Sequence, residues 1–160
     1  VRLLTREDVL SASDLRTTTV AVPEWGGELI LGEMSGVDRD DWDAAYLARV
    51  AAEKRAAAAE KRPIAEAAGA DLHAARMVAW TARKPDGTDL FAVRKPDGRI
   101  DAAATEAVVL ALARRSGLVL LRLLDAANGV NGLGPKALEA AEGNSGGTPS
   151  ATPDGPQPSR

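Results

Sequence analysis

The stretch VAVPEWGGELIL, residues 20–31, constrains this chain more than any other. Val20 and Val22 on one side and Leu29 and Leu31 on the other alternate with a period of two, the signature of half-buried strands. Between them Pro23 presets its own φ, while Gly26 and Gly27 can turn the chain through positive φ at little steric cost. A β-hairpin follows, with Trp25 at its tip. A tryptophan there either anchors a partner, being large, amphipathic and cheap to immobilise, or folds back as core. The residues leave both readings open.

The hairpin sits within a chain rich in helix signals. Thr5-Arg6-Glu7-Asp8 has capping-box spacing, with Asp in place of Glu, and predicts a short helix from Arg6 to Ala12. Ser35-Gly36-Val37-Asp38 repeats the arrangement and starts a longer helix. Asp38, Asp40, Asp41 and Asp43 suit the positive end of its dipole, and Trp42, Tyr46 and Val50 form one apolar face. AAEKRAAAAEKR, 51–62, has high helix propensity but only alanine to bury, so it reads as a solvated extension rather than a coiled coil, ending at Pro63.

DLHAARMVAW, 71–80, opens on a plausible Asp71 cap and sets His73, Met77 and Trp80 on one face. RKPDG then occurs twice, at 83–87 and 94–98, each a turn signal. They predict a second short hairpin, from strands near 78–82 and 90–93. Asp101 caps a helix through AAATEAVVLALARR, and a break at Ser116-Gly117 leads into the apolar helix 118–128. That helix is either the centre of the domain or a sticky face that a client covers. NGLG, 131–134, stops it, and Pro135 starts a last short helix, PKALEAAE. From Gly143 onward the chain is Gly, Ser, Pro and Thr with nothing to bury, and reads as disordered.

The fold class expected is therefore α+β and mainly helical: an N-terminal hairpin, a second short hairpin and a small helical bundle. One domain over 1–142 precedes a tail over 143–160. With one Phe, one Tyr, three Trp and two Met in 160 residues, the core should be thin.

Chemistry is hard to find. There is no cysteine, hence no disulfide, thiolate or thiolate-ligated metal, which fits a reducing cytoplasm. The lone His73 cannot make a two-histidine metal site, and no spacing supplies it with a nucleophile and an orienting acid. The acids from Asp38 fail as a calcium loop, because its glycine position holds Asp43 and its twelfth position Arg49. GVNGLGPKA lacks the lysine and hydroxyl spacing of a phosphate loop. Arg83, Lys84, Arg94 and Lys95 of the two RKPDG turns could touch phosphates, but the chain carries a net charge of −3 and no interleaved aromatics. A solvated hairpin edge accounts for them. The apolar stretch 107–130 is broken by Arg114, Arg115 and Arg122, short of the ~20 residues a membrane span needs. VRLLTREDVL is too mixed and acidic to read as a signal peptide. No catalytic set, cofactor site, nucleic-acid surface or membrane segment is expected.

At this point the order of pieces resembles a known family. LTREDVLSASDLRTTTVAVPEWGGELILGEMSGVDRDDWDA is similar to the N-terminal part of tail assembly chaperones of long-tailed phages, the V-x-V-P-E-W-G-G hairpin being the most specific piece. ARMVAWTARKPDGTDLF resembles the family's arginine-led helix running into a D-G hairpin, and RLLDAANGVNGLGPKALEAAEGNS its C-terminal helices. The likeness covers roughly residues 3–145. The alanine-rich 51–70 and the second RKPDG depart from the pattern.

The resemblance implies a non-enzymatic assembly factor in the host bacterial cytoplasm, absent from the mature virion. It would coat the tape-measure protein, help recruit tail-tube protein and possess some capacity for self-association. Many such genes also yield a longer frameshifted product. The candidate partner-binding residues are Trp25 with its neighbour Glu24, and Leu118, Leu121 and Arg122 of the apolar helix. The competing reading is a small adaptor or regulatory protein that grips DNA or a globular partner through the basic hairpin.

Overall fold

Strands β1 (Thr17–Val22) and β2 (Gly27–Gly32) pair antiparallel, with Val20 opposite Leu29 and Thr18 opposite Leu31, in a computed structural model describing residues 2–70 and 72–133. The alternation read from the sequence holds, since Val22, Leu29 and Leu31 are buried on one face. The link is tighter than a simple turn. Pro23–Trp25 form one 3₁₀ turn, which Gly26 closes at φ +76° by donating to Pro23 O at 3.0 Å. Gly27 already belongs to β2, so only one of the two glycines uses positive φ.

A short third strand, β3 (Ala82–Arg83), pairs with the other edge of β2 and gives the sheet order β1-β2-β3. Residues 78–81, expected to lead a second hairpin, instead finish a helix, and Thr81 Oγ1 donates back to Met77 O as a helical side chain can. Residues 90–93, expected as the second strand of that hairpin, form no strand, and of the hairpin signal only the two turns and single bridges beside them are present. The sequence repeat is a structural repeat: Lys84 and Thr88 close one turn and Lys95 and Arg99 the other, each bond 2.8 Å. Single bridges, Arg83 to Asp89 and Arg94 to Ile100, flank them.

The helices are α1 (Arg6–Leu10), α2 (Gly36–Glu60), α3 (His73–Thr81), α4 (Ala102–Ala113) and α5 (Gly117–Val130). The Thr5/Asp8 capping box is present, and α1 stops at Leu10, earlier than the predicted Ala12, with Ser11 donating both its N–H and its hydroxyl to Glu7 O as the C-cap. Ser35 and Asp101 cap α2 and α4 as expected. The Asp71 cap lies outside the described residues, as do the last helix 135–142 and the tail 143–160.

The centre of the molecule is α3, not the 118–128 helix. Every residue from Ala75 to Thr81 is buried, with α4, α5 and β2 packed around it. Ala75, Ala79 and, on α5, Ala127 let these backbones approach closely, which is where the alanine-rich composition enters the core. Helix α5 is two-sided instead. Val119, Leu120, Leu123, Ala127 and Val130 face inward, while Leu118, Leu121, Arg122 and Asp125 face water. Among the described residues no helix is long and apolar enough to cross a membrane.

Helix α2 joins this body through its first half. Trp42 stands edge-on to both Trp80 and His73, at centroid distances of 5.3 and 5.6 Å. Its acids do more than complement the dipole. Asp38 is buried and accepts both guanidinium bonds of Arg94, at 2.8 and 3.1 Å, and Asp41 pairs with Arg99. The alanine-rich half is a helix as predicted, but it is not simply solvated. After Lys61 reverses the chain at φ +53°, residues 62–70 fold back along it. Glu53 collects Arg62 and the Ala65 N–H, and the Arg62 bonds above all bring its carboxyl down to about 2. Gly69 lies so close that a Cβ there would sit 2.6 Å from Val50.

Two stability outcomes follow from these contacts. Asp38→Ala removes one of the two carboxylates on Arg94 while Asp89 still holds the guanidinium; urea unfolding should show a loss of about 2 kcal/mol, typical of hydrogen bonds to a charged group. His73 is held below its usual pKa by burial first and by Arg49 and Arg76 second. The folded state therefore resists protonation more than the unfolded chain, and stability is lost as pH falls below ~6.5. The midpoint should decline between pH 7.5 and 5.5 in the native chain and stay flat in His73→Leu.

Candidate functional site

The Pro23–Trp25 turn carries the residues that the sequence singled out, and the fold brings α5 to meet it. Helix α5 runs back along the sheet from the hairpin tip toward the chain ends of β1 and β2. At the tip Arg122 donates to both Glu24 carboxylate oxygens, at 2.8 and 3.2 Å. The pair is almost half exposed on each side. Hydrogen bonding to Arg122 holds the Glu24 carboxyl below its ordinary value and raises the guanidinium in turn. Leu118 lies one turn before Arg122 on the same helix face and is 81% exposed; Leu121 is 56% exposed. The fold thus joins Glu24, the neighbour of Trp25, to Arg122, with Leu118 and Leu121 exposed on the same helix as Arg122.

Trp25 resolves between its two readings. It is 38% exposed and lines an open groove of about 480 Å³ between the hairpin tip and α4. Phe91, Val108 and Leu112 supply the apolar walls, and Glu24 and Arg115 the polar ends. Phe91, Val108, Leu112 and Arg115 were not anticipated. The one available signal was that the only phenylalanine of the chain falls between two turn motifs, where a large aromatic needs something to lie against. The spatial neighbour across the groove, α4, has no such mark in the sequence.

The other constellations resolve as structure. His73 packs on Trp42, as a core histidine would. Arg83 is buried against Asp89 at 2.8 Å, and Arg94 is divided between Asp38 and Asp89. Of the four basic residues on the RKPDG turns, Arg83 is buried and Arg94, though partly exposed, is committed to ion pairs within the fold, while Lys84 and Lys95 are left at the surface. No observation favours a basic grip on DNA or on a globular partner. Among the described residues no group of three or more acidic or histidine side chains is arranged to hold a metal ion. Comparison with protein-family models, with curated proteins and with solved structures finds no match.

The three tryptophans differ enough to be separated in solution. Trp42 and Trp80 are 8% and 3% exposed, against 38% for Trp25. Acrylamide should quench one component of the fluorescence readily, and Trp25→Phe should abolish that component while leaving the protected emission. Uniform quenching of all three would mean that the groove and core are not arranged as described.

Proposed function

We propose that this chain is a non-enzymatic tail assembly chaperone of the type its sequence resembles. In this reading it binds the tape-measure protein and helps recruit tail-tube subunits during assembly in the host bacterial cytoplasm, and does not remain in the mature virion. The observation that carries the reading is the surface at the hairpin tip. Trp25 and Phe91 border an apolar groove, and Leu118 and Leu121 extend exposed apolar surface past the Glu24–Arg122 pair. A long amphipathic helix presents apolar anchors at i, i+3 and i+4, the spacing such a groove accepts. Arg115 and Arg122 at its margin suit the acidic flank of such a helix. An exposed apolar surface of this kind is a binding feature in itself.

The test is co-expression with the very long helical tape-measure protein of the same genome, followed by pull-down and measurement of client solubility. The native chain should retain the client and keep it out of the pellet. Leu121→Asp should reduce retention at least tenfold without shifting the thermal midpoint of the free protein, because that side chain is more than half exposed, and Trp25→Ala should reduce it as much while lowering the midpoint, because more than half of the ring is buried. No association by a folded native chain would overturn the reading.

A further inference from the structure

The sheet has an open edge. Glu33 donates to Arg16 O at 2.8 Å just beyond the β1–β2 ladder, so the alternation of an antiparallel pair makes Thr18, Val20 and Val22 the residues bonded to β2. The N–H and C=O groups of Thr17, Thr19 and Ala21 therefore point away from the sheet, and no partner for them occurs among the described residues. This edge, TTTVAV, has none of the usual protections: no charge, no proline and no bulge over six residues. It is rich in β-branched residues, which favour strand pairing.

Immediately before that edge lies an arm that, up to Arg16 with its bonds to Glu33 and Val130, packs on little among the described residues. From Arg2 to Arg16 every residue but Asp8 is exposed, and α1 buries none of its side chains. Leu3, Leu4, Val9, Leu10 and Leu15 are each more than half exposed. Among the described residues, five large apolar side chains and a bare strand edge lie side by side without cover, the kind of surface that marks an interaction site.

We infer that β1 pairs antiparallel with β1 of a second copy of this chain, across a two-fold axis at Thr19, to make one continuous six-stranded sheet. The self-pairing is geometrically consistent: with Thr19 on the axis, Thr17 faces the second copy's Ala21, and outward-bonding residues meet outward-bonding residues in both directions. The same register fixes where the arms go. The chain leading into β1 of one copy runs past the hairpin tip of the other, where Trp25 stands half exposed. Charges agree with this path. Glu7 and Asp14 on the arm hold no ion pair among the described residues, and Arg115 and Arg122 lie at the tip that the arm approaches. Two arms carrying five exposed apolar side chains each can bury on the order of the 1,000 Å² that a specific interface requires, which six-residue strand pairing alone would not reach. The inference stands on the sheet edge and the arm, independently of any client.

The test is sedimentation equilibrium on the full chain, with amide exchange followed by mass spectrometry across a concentration series. The expected result is a species of twice the 16.6 kDa chain mass with a dissociation constant on the order of micromolar. Exchange at Thr17, Thr19 and Ala21 should slow in step with dimer formation. Thr19→Lys opposes two ammonium groups on the axis, and Leu10→Asp places a charge on the arm. Each should weaken the dimer at least tenfold with an unchanged circular dichroism spectrum, since both positions are exposed in the monomer. A monomer at ~1 mM would overturn the inference. So would protection of those amides that does not depend on concentration, which would put the chain's own residues 134–160 on the edge. A dimer indifferent to both substitutions would likewise place the interface elsewhere.

Discussion

The pairing of Asp38 with Arg94 ties together three parts of the chain that lie far apart in sequence. Asp38 belongs to the first turn of α2, and Arg94 opens the second RKPDG turn. Arg94 also reaches Asp89, which in turn holds Arg83 of β3 beside the edge of β2. One buried carboxylate therefore links a long helix, two turns and the sheet. Such a pair adds little net free energy over well-packed apolar residues, because removing both charges from water offsets most of their attraction. Its contribution is positional. Helix α2 has few backbone approaches to the rest of the fold, and the ionic cluster and Trp42 fix which face it turns toward α3.

Close backbone approach explains how so little aromatic and branched material makes a core. Around α3 the small residues Ala75, Ala79, Ala82 and Ala127 replace side-chain volume with proximity. Leu31, Met77 and Leu123, all fully buried, fill the spaces that remain. A helix lined by alanine on several sides can be surrounded, whereas α5, with Arg122 and Asp125 spaced along one face, can be covered on one side only. The sequence offered α5 as the centre or as a sticky face because the stretch is apolar almost all round. Burial followed the size of the gaps instead.

Local signals were legible and relational ones were not. The capping residues Thr5, Ser35 and Asp101, the Val–Leu alternation of the hairpin and the break at Ser116 all act within four or five residues of themselves, and each appears where it was read. Asp38 looked like a dipole partner and turned out to face an arginine 56 positions away, a distance along the chain at which spacing carries no information. Trp25 and Glu24 were recognisable because a turn displays them. Phe91 and the α4 wall complete the groove only through the tertiary fold. Asn131 was read as part of a helix stop, and Gly132 does adopt φ +65° there. Its deeper role, accepting from Met34 N–H at 2.7 Å while donating to Ala127 and Gly32 carbonyls, depends on β2 ending beside α5.

That last contact bears on how the candidate surface works. Helix α5 is fastened to the hairpin at both ends, by means of opposite character. At its C-terminus Asn131 is buried with its amide satisfied, and Arg16 and Arg39 cap the carbonyls of Val130 and Asn131 at 2.9 Å. Opening that end would strand buried hydrogen-bonding groups, each costing about 1–3 kcal/mol. At its N-terminal end the attachment is the exposed Glu24–Arg122 pair, which water and salt can replace at little cost. Val119, Leu120 and Leu123 keep this half of the helix against the core, so what yields at the tip is the ion pair and not the helix. Glu24 also borders the groove between the hairpin tip and α4. The hydrogen-bonded end sets the register of helix on sheet, and the exposed pair leaves Glu24 free to exchange Arg122 for a polar group of whatever enters the groove.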